Sequence, residues 1–182
     1  MSRTDARIRY TQGVLKQALL SFLQEKPINK ITVKEVCERA ELNRATFYAH
    51  YSDCFALLES IEEDLLEAFQ QSLKLVDSFD VTALIEAIYT MIEQQQEACR
   101  VLIFQNVCPN VLRRMIGLAR GKSIAYWKQH LHRVTDAELE MLYTHLSNGL
   151  MHVVVEGYEK YSREEVVRFV NRIVQCSLSQ FQ

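Results

Sequence analysis

The stretch Thr32–Tyr51, T-V-K-E-V-C-E-R-A-E-L-N-R-A-T-F-Y-A-H-Y, decides the fold, because two short helices and a tight turn fit inside it. Thr32 is a good N-cap, and Glu35 follows three residues later, which is the capping-box pattern. We therefore expect a first helix from Val33 to about Arg39. Ala40-Glu41-Leu42 then forms the turn, and a second helix follows it.

The second helix separates an apolar face from a polar one. Asn43 is its N-cap, and apolar residues at helical spacing predict a helix from Arg44 to about His50. Leu42, Phe47 and Tyr51 point inward. The outer face carries Arg44, Ala45, Thr46, Tyr48 and His50, and no acidic residue occurs from 42 to 51. These polar groups donate to phosphates and base edges, and a small alanine allows close approach, so the pattern predicts a helix-turn-helix that enters a major groove.

Four motifs in this region resemble the DNA-binding domain of the TetR/AcrR family of transcriptional regulators. They are Leu20-Ser21-Phe22, the T-V-K-E-V-C run from Thr32, the A-E-L-N turn from Ala40, and T-F-Y-A-H-Y from Thr46. The resemblance covers residues 8–60, about a third of the chain. It implies that DNA is contacted by Thr32, Arg44, Ala45, Thr46, Tyr48 and His50, and we add the N-cap Asn43 to this set.

One position departs from the family pattern. Many members place a lysine near the start of the fourth helix, where it reaches a phosphate, and this chain has Cys54 there, between Asp53 and Phe55. We expect this phosphate contact to be missing or to come from other residues.

Composition and charge favour a helical protein with one positive end. The chain has 182 residues, 48% of them hydrophobic, with only 5 Gly and 2 Pro, which is typical of long helices. Residues 1–51 hold nine Lys and Arg against five Asp and Glu, whereas residues 52–182 hold 12 against 18. A positive front suits a protein that binds a polyanion. We predict an all-α fold with a DNA-binding domain at 1–52 and a helical effector-binding and dimerisation domain at 53–182.

The apolar periodicity after the motif predicts six further helices. Four are expected over 54–76, 81–96, 97–106 and 111–133, and Phe55 is assigned to the inward stripe of the first of these. The last two run from Asp136 to about Tyr158, capped by Thr135 or Asp136, and from Ser162 to about Phe181, where Ser162 and Glu165 form a second capping box. Their broad apolar surfaces predict a subunit interface. In the TetR family the last two helices often pair across a two-fold axis, so the resemblance implies a homodimer on a palindromic operator.

The middle of the chain is expected to hold a small-molecule effector, because family members commonly have a pocket there. Its candidate lining is aromatic: Phe69, Tyr89, Phe104, Tyr126, Trp127 and Tyr143. Aromatic walls with few polar groups suit an apolar ligand, although each ring is also an ordinary core residue.

Histidines raise the alternative of a metal site. His145, His152 and Glu156 share a helix face, and an H-x-x-x-E pair such as His152 and Glu156 can bind a divalent metal. This pair lacks a third ligand at tight spacing, so we expect no metal and no cofactor. No Gly-rich phosphate loop, nucleophile elbow or paired Cys/His signature argues for an enzyme. The alternatives left open are an enzyme with scattered acid and base groups, and a helical interaction protein that uses the motif only for packing.

Cysteine usage and hydropathy bear on location. The five cysteines are scattered and include no C-x-x-C pair, which is typical of reduced thiols in a cytosolic protein. No signal peptide or membrane-length apolar run is present in the sequence. We therefore expect a soluble, cytoplasmic protein. The family resemblance implies a regulator, which we expect to be a repressor that a small-molecule effector releases from its operator.

Overall fold

The chain folds into α-helices throughout the part that the structure describes. The structure is a computed structural model, and it describes residues 3–74, 81–105 and 107–181. The α-helices are α1 Arg3–Leu23, α2 Val33–Arg39, α3 Arg44–Tyr48, α4 Cys54–Lys74, α5 Val81–Gln94, α6 Gln96–Ala98, α7 Pro109–His130, α8 Asp136–Gly157 and α9 Arg163–Leu178. The predicted all-α fold is confirmed.

Two compact units are formed along the chain. Unit 1 comprises Met1–Leu65 with Glu97–Val107, and unit 2 comprises Leu66–Gln96 with Cys108–Gln182. The first part of α4 therefore belongs to unit 1 and its last part to unit 2. The boundary between residues 52 and 53 stays a prediction.

Unit 1 is built around side chains from α1, α2, α3 and the start of α4. Leu19, Val36, Phe47 and Leu57 are all fully buried there. At the edge of this core the Lys16 ammonium donates to the Asp64 carboxylate at 2.5 Å. Apolar burial and one ion pair thus hold α1 against α4.

In unit 2, α8 packs against both α7 and α9, and α5 packs against α9. Arg163, at the start of α9, forms ion pairs with Glu86 and Glu93 of α5, and its guanidinium lies 5.3 Å from the centre of the Tyr89 ring. These contacts fix the start of α9 on α5.

Helix starts follow the predicted caps. Thr32 with Glu35, Thr135 with Glu138, and Ser162 with Glu165 each form a complete capping box. Asn43 caps α3, and the Asp53 carboxylate accepts a hydrogen bond from the Ala56 N–H at the start of α4. The two helices of the motif, α5 and the last three long helices end within three residues of the predicted ends. For α4 the described helix extends to Lys74, and residues 75 and 76 of its predicted range lie outside the described residues.

The expected helix over 97–106 is present, as α6 followed by a π-helix, Cys99–Phe104, and Asn106 lies outside the described residues. One prediction about local structure is wrong. Phe55 is 56% exposed instead of inward, because Cys54 and Leu57 occupy the buried positions at the start of α4. Among the described residues, no helix is both long enough and apolar enough to cross a membrane.

Candidate functional site

The capping box fixes the start of α2 and uses the polar atoms of Thr32. The Thr32 hydroxyl accepts from the Glu35 N–H at 3.3 Å and donates to the Glu35 carboxylate at 2.7 Å. The Thr32 N–H donates to the same carboxylate at 2.9 Å. Lys26 adds an ion pair at 2.6 Å, and its hydrogen bond, followed by those from Thr32, lowers the pKa of Glu35 to about 2. Thr32 therefore has no hydroxyl proton left for a phosphate while the box is closed.

The turn between α2 and α3 is a Schellman motif. Glu41 has a φ of 54°, in the left-handed region that favours glycine. The Leu42 N–H donates to the Cys37 carbonyl at 2.9 Å, and the Glu41 N–H donates to the Glu38 carbonyl at 3.3 Å. These two bonds set the direction in which the chain enters α3.

Two interactions orient α3. The Asn43 side-chain oxygen accepts from the Thr46 N–H at 2.7 Å and from the Thr46 hydroxyl at 2.9 Å. Phe47 is fully buried, with the rings of Tyr48 and Tyr51 5.6 and 6.0 Å from its own ring centre. A buried Phe47 leaves the opposite side of this short helix turned outward.

The outward side of α3 carries the predicted DNA-contact residues. Arg44 and Ala45 are exposed, Tyr48 is 58% exposed, and Thr46 and His50 are half-buried. The structure thus places these five side chains on one short segment. Thr32 and Asn43 lie at the starts of α2 and α3, where their oxygens serve as caps, so only the amide nitrogen of Asn43 is left to donate.

At the start of α4, neither Cys54 nor Asp53 offers a positive group for a phosphate contact. Cys54 is only 4% exposed, and burial raises the pKa of its thiol to about 11, so the thiol is neutral. Its neighbour Asp53 is a carboxylate that caps the helix. Positive groups are found instead on α1, where Arg7 and Arg9 are exposed.

Unit 2 contains a cavity of about 60 Å³ between α4, α5, α7, α8 and α9. Three of the six aromatic candidates line it, namely Phe69, Trp127 and Tyr143. The other three lie elsewhere: Tyr89 packs against the Tyr158 ring, Tyr126 stacks on His130, and Phe104 belongs to unit 1.

The polar groups of this cavity come from α7 and α8. The Tyr143 hydroxyl donates to the Ile116 carbonyl at 2.5 Å, and burial raises its pKa to about 12. The Ser147 hydroxyl is buried without a hydrogen-bond partner in the described structure. Sequence reasoning missed Ser147, although its place one helical turn after Tyr143 was a usable signal.

The residues considered for a metal site lie on the surface of α8. His145, His152 and Glu156 are exposed, and Glu156 pairs with Lys160 at 3.1 Å. Within the described ranges, no three His, Cys, Asp or Glu side chains are grouped so that they could hold a metal ion.

Comparison of the sequence with known proteins gives a partial match. No protein-family model matches the chain. A 62-residue segment, 34% of the chain, is 37% identical to an uncharacterized HTH-type transcriptional regulator, YxbF, of Bacillus subtilis (strain 168). This match spans only 16% of that relative.

Solved structures match most of the chain. A TetR transcriptional regulator from Streptococcus agalactiae 2603V has a TM-score of 0.69 and 23% identity, over 94% of this chain and 97% of that one. The TetR family regulator PfmR from Thermus thermophilus has a TM-score of 0.63 and 16% identity, over 88% and 96%. The dihydroxyacetone kinase operon activator DhaS has a TM-score of 0.64 and 15% identity, over 94% and 98%.

These matched proteins are described as regulators of transcription. The predicted family resemblance is confirmed at the level of fold: the chain has the fold of the TetR-family transcriptional regulators.

Proposed function

We propose that the chain is a DNA-binding transcriptional regulator whose α3 enters the major groove. The observation that carries this proposal is the outward side of α3, which offers hydrogen-bond donors and a small alanine without any acidic side chain. A helix fixed by a buried Phe47 and an N-cap can present these groups in a constant direction. Its similarity in sequence to an HTH-type regulator supports the same function.

The side chains on the outward side of α3 suit two kinds of DNA contact, base edges and phosphate oxygens. Arg44 is exposed at the first residue of α3, and a guanidinium there can donate two bonds to a guanine edge. Tyr48 and His50 suit phosphate oxygens, since each carries a single donor on a ring. Arg7 and Arg9 at the start of α1 add positive charge to the same unit, although Arg9 already donates to the Asp5 carbonyl at 3.4 Å.

Thr32 contributes to DNA binding only if its capping box opens. A phosphate near the start of α2 competes with the Glu35 carboxylate for the Thr32 hydroxyl proton and for Lys26. Both anions favour the positive end of the helix, so only one of them fits there at a time. Operator binding then moves Glu35 away from Thr32.

The proposed assembly is a homodimer through α8 and α9. Phe169 and Ile173 lie one turn apart on α9, and 52% and 41% of their surfaces are exposed. Beside them runs a groove of about 430 Å³ that includes Val153, Gly157 and Tyr161. A second copy of the chain would cover these exposed apolar side chains and the groove beside them. The dimer would place two α3 helices about 34–36 Å apart on a palindromic operator in the cytoplasm.

Regulation is proposed to come from an effector in the cavity of unit 2. A ligand changes operator affinity only by binding differently to the DNA-competent and incompetent states, and α4 is a long helix with residues in both units. We assign the protein as a repressor. The fold accommodates either sign of regulation, because DhaS, which shares it, is described as an operon activator.

The test is selection of duplex DNA from a random-sequence library by the full-length protein, at about 50 and 200 mM salt. We expect an enriched palindrome whose affinity falls steeply with salt, since six to ten phosphate contacts cost roughly a factor of 10³–10⁵ over this range. A protein that uses the motif only for packing would enrich no sequence and show no salt-dependent binding, and this result would overturn the proposal.

A further inference from the structure

The cavity in unit 2 is lined almost entirely by apolar side chains. Its polar exceptions are the hydroxyls of Ser123, Tyr143 and Ser147 and the ring nitrogen of Trp127, and none of the described residues that line it carries a charged side chain. The Tyr143 hydroxyl already donates to the Ile116 carbonyl. Ser147 is different, because its buried hydroxyl has no partner within the described ranges. A buried hydroxyl without a partner costs free energy that a suitable ligand atom can recover.

The size of the cavity limits what can enter it. Its volume of about 60 Å³ is less than half of the roughly 150 Å³ of an apolar cavity that takes up benzene. Two methionines, Met115 and Met151, form part of the wall. Because methionine is unbranched and adapts its shape, these two side chains can move to admit a single ring. Occupation would then enlarge the space between α7 and α8.

The described lining disfavours a charged ligand. Such a ligand would leave water and find no ion-pair partner among the described lining residues, so its desolvation would oppose binding. The raised pKa of Tyr143, which burial causes, agrees with an environment that disfavours charge.

We propose, on the basis of the effector function proposed above, that the cavity takes a small neutral ligand of single-ring size, with one hydrogen-bonding group that reaches Ser147. The apolar wall binds the ring, and the Ser147 hydroxyl selects molecules that can donate to it or accept from it.

The single tryptophan gives a direct readout, because Trp127 lines the cavity. Full-length protein labelled with 5-fluorotryptophan is titrated at neutral pH with phenol, toluene, benzoate and benzylammonium, and the fluorine resonance of Trp127 is followed. We expect saturable shifts with phenol and toluene, and phenol binding roughly 2- to 12-fold more tightly, the factor of one net hydrogen bond. Benzoate and benzylammonium should not shift the resonance.

The variant Ser147→Ala tests the assigned group. It removes an unpartnered hydroxyl and therefore should fold normally. We expect phenol to lose its advantage over toluene, while toluene binding stays the same. Ser177→Ala is the matched control, since Ser177 lies on α9 away from the cavity and donates to its own helix at the Ile173 carbonyl, 2.8 Å away.

Three results would overturn the inference: no saturable shift with any probe, equal affinity of the unaltered protein for phenol and toluene, or binding of a charged probe as tight as that of phenol. DNA selection on the same preparation separates this outcome from failure of the regulator proposal. If the protein selects an operator but shows no shift with any probe, the regulator proposal stands and the proposed ligand class is refuted. If it binds phenol through Ser147 without selecting DNA, the ligand class stands and the DNA-binding proposal is refuted.

Discussion

The helix-turn-helix of unit 1 and the cavity of unit 2 place function in opposite ways. In unit 1, the five side chains on the outward side of α3 lie within seven consecutive residues, from Arg44 to His50. In unit 2, the side chains that line the cavity come from five helices, between Phe69 and Val174. The first site depends on local caps and one buried ring, and the second on how distant helices pack. Mutations should therefore act differently on the two.

The largest effect is expected from Phe47→Ala in unit 1. Phe47 is fully buried under α3, and removing a buried phenylalanine ring typically costs about 3–5 kcal/mol of unfolding free energy. Amide hydrogen exchange should show lost protection in α2 and α3. Phe55→Ala is the matched control, because a ring that is 56% exposed should change stability by no more than about 0.5 kcal/mol. Equal effects of the two variants would refute the assignment of Phe47 as the anchor.

The next effect is expected from Arg44→Ala, measured as operator affinity by fluorescence anisotropy. Loss of a bidentate contact to a base costs about 1–3 kcal/mol, or roughly 5- to 150-fold in affinity, and should relax sequence preference at one position. Stability should not change, because the side chain is exposed.

Arg113→Ala serves as the control for this charge change, since Arg113 is exposed on α7 in unit 2. It should leave operator affinity nearly unaltered. If both arginine variants bind the operator as the unaltered protein does, α3 does not read bases through Arg44.

The contrast between the local helix-turn-helix and the cavity explains which features could be predicted from the sequence. Capping residues and helical spacing act over three or four positions, so Thr32, Asn43 and Ser162 could be recognised as caps from the sequence. The outward side of α3 followed from the same local rules. For the cavity, the aromatic candidates Tyr89 and Tyr126 could not be separated from Trp127, because burial against distant helices decides which ring faces the space.

One substitution that introduces a glycine in unit 1 and one that removes a glycine in unit 2 are both expected to raise the free energy of unfolding. Glu41→Gly should relieve the left-handed conformation in the turn of unit 1, where an L side chain costs about 1–2 kcal/mol, partly offset by glycine's greater freedom when unfolded. Gly117→Ala should gain about 0.4–1 kcal/mol in α7, because an added Cβ meets no atom within 4 Å. Urea unfolding followed by circular dichroism measures both.

Gly157→Ala is the control for the helix substitution. A Cβ there would lie 3.3 Å from the Tyr161 ring and 3.4 Å from Val166, so the gain should be smaller or reversed. If Gly117→Ala destabilises the protein instead, another chain covers this face of α7.

The smallest effect on stability is expected from the capping carboxylates, because Glu35, Glu138 and Glu165 are in contact with solvent. All three have pKa values below the ordinary 4.5, but only Glu35 has a lysine bonded to it, and its pKa is lowered to about 2. A carboxylate with a depressed native pKa stabilises the fold above its unfolded pKa. The Glu35 contribution is therefore complete above about pH 4.5 and is lost as the pH falls towards 2.

Carbon-13 titration of the three carboxylates should place Glu35 lowest, and Lys26→Met should raise its pKa towards those of Glu138 and Glu165, whose boxes lack such a lysine bond. Lys34→Met is the control, because Lys34 pairs with Glu38 at 3.7 Å on the exposed side of α2. An unchanged Glu35 pKa in Lys26→Met would show that the local box alone is responsible. Lys26 is nine residues from Glu35, beyond the reach of capping rules, so the strongest capping box is also the one that local sequence describes least completely.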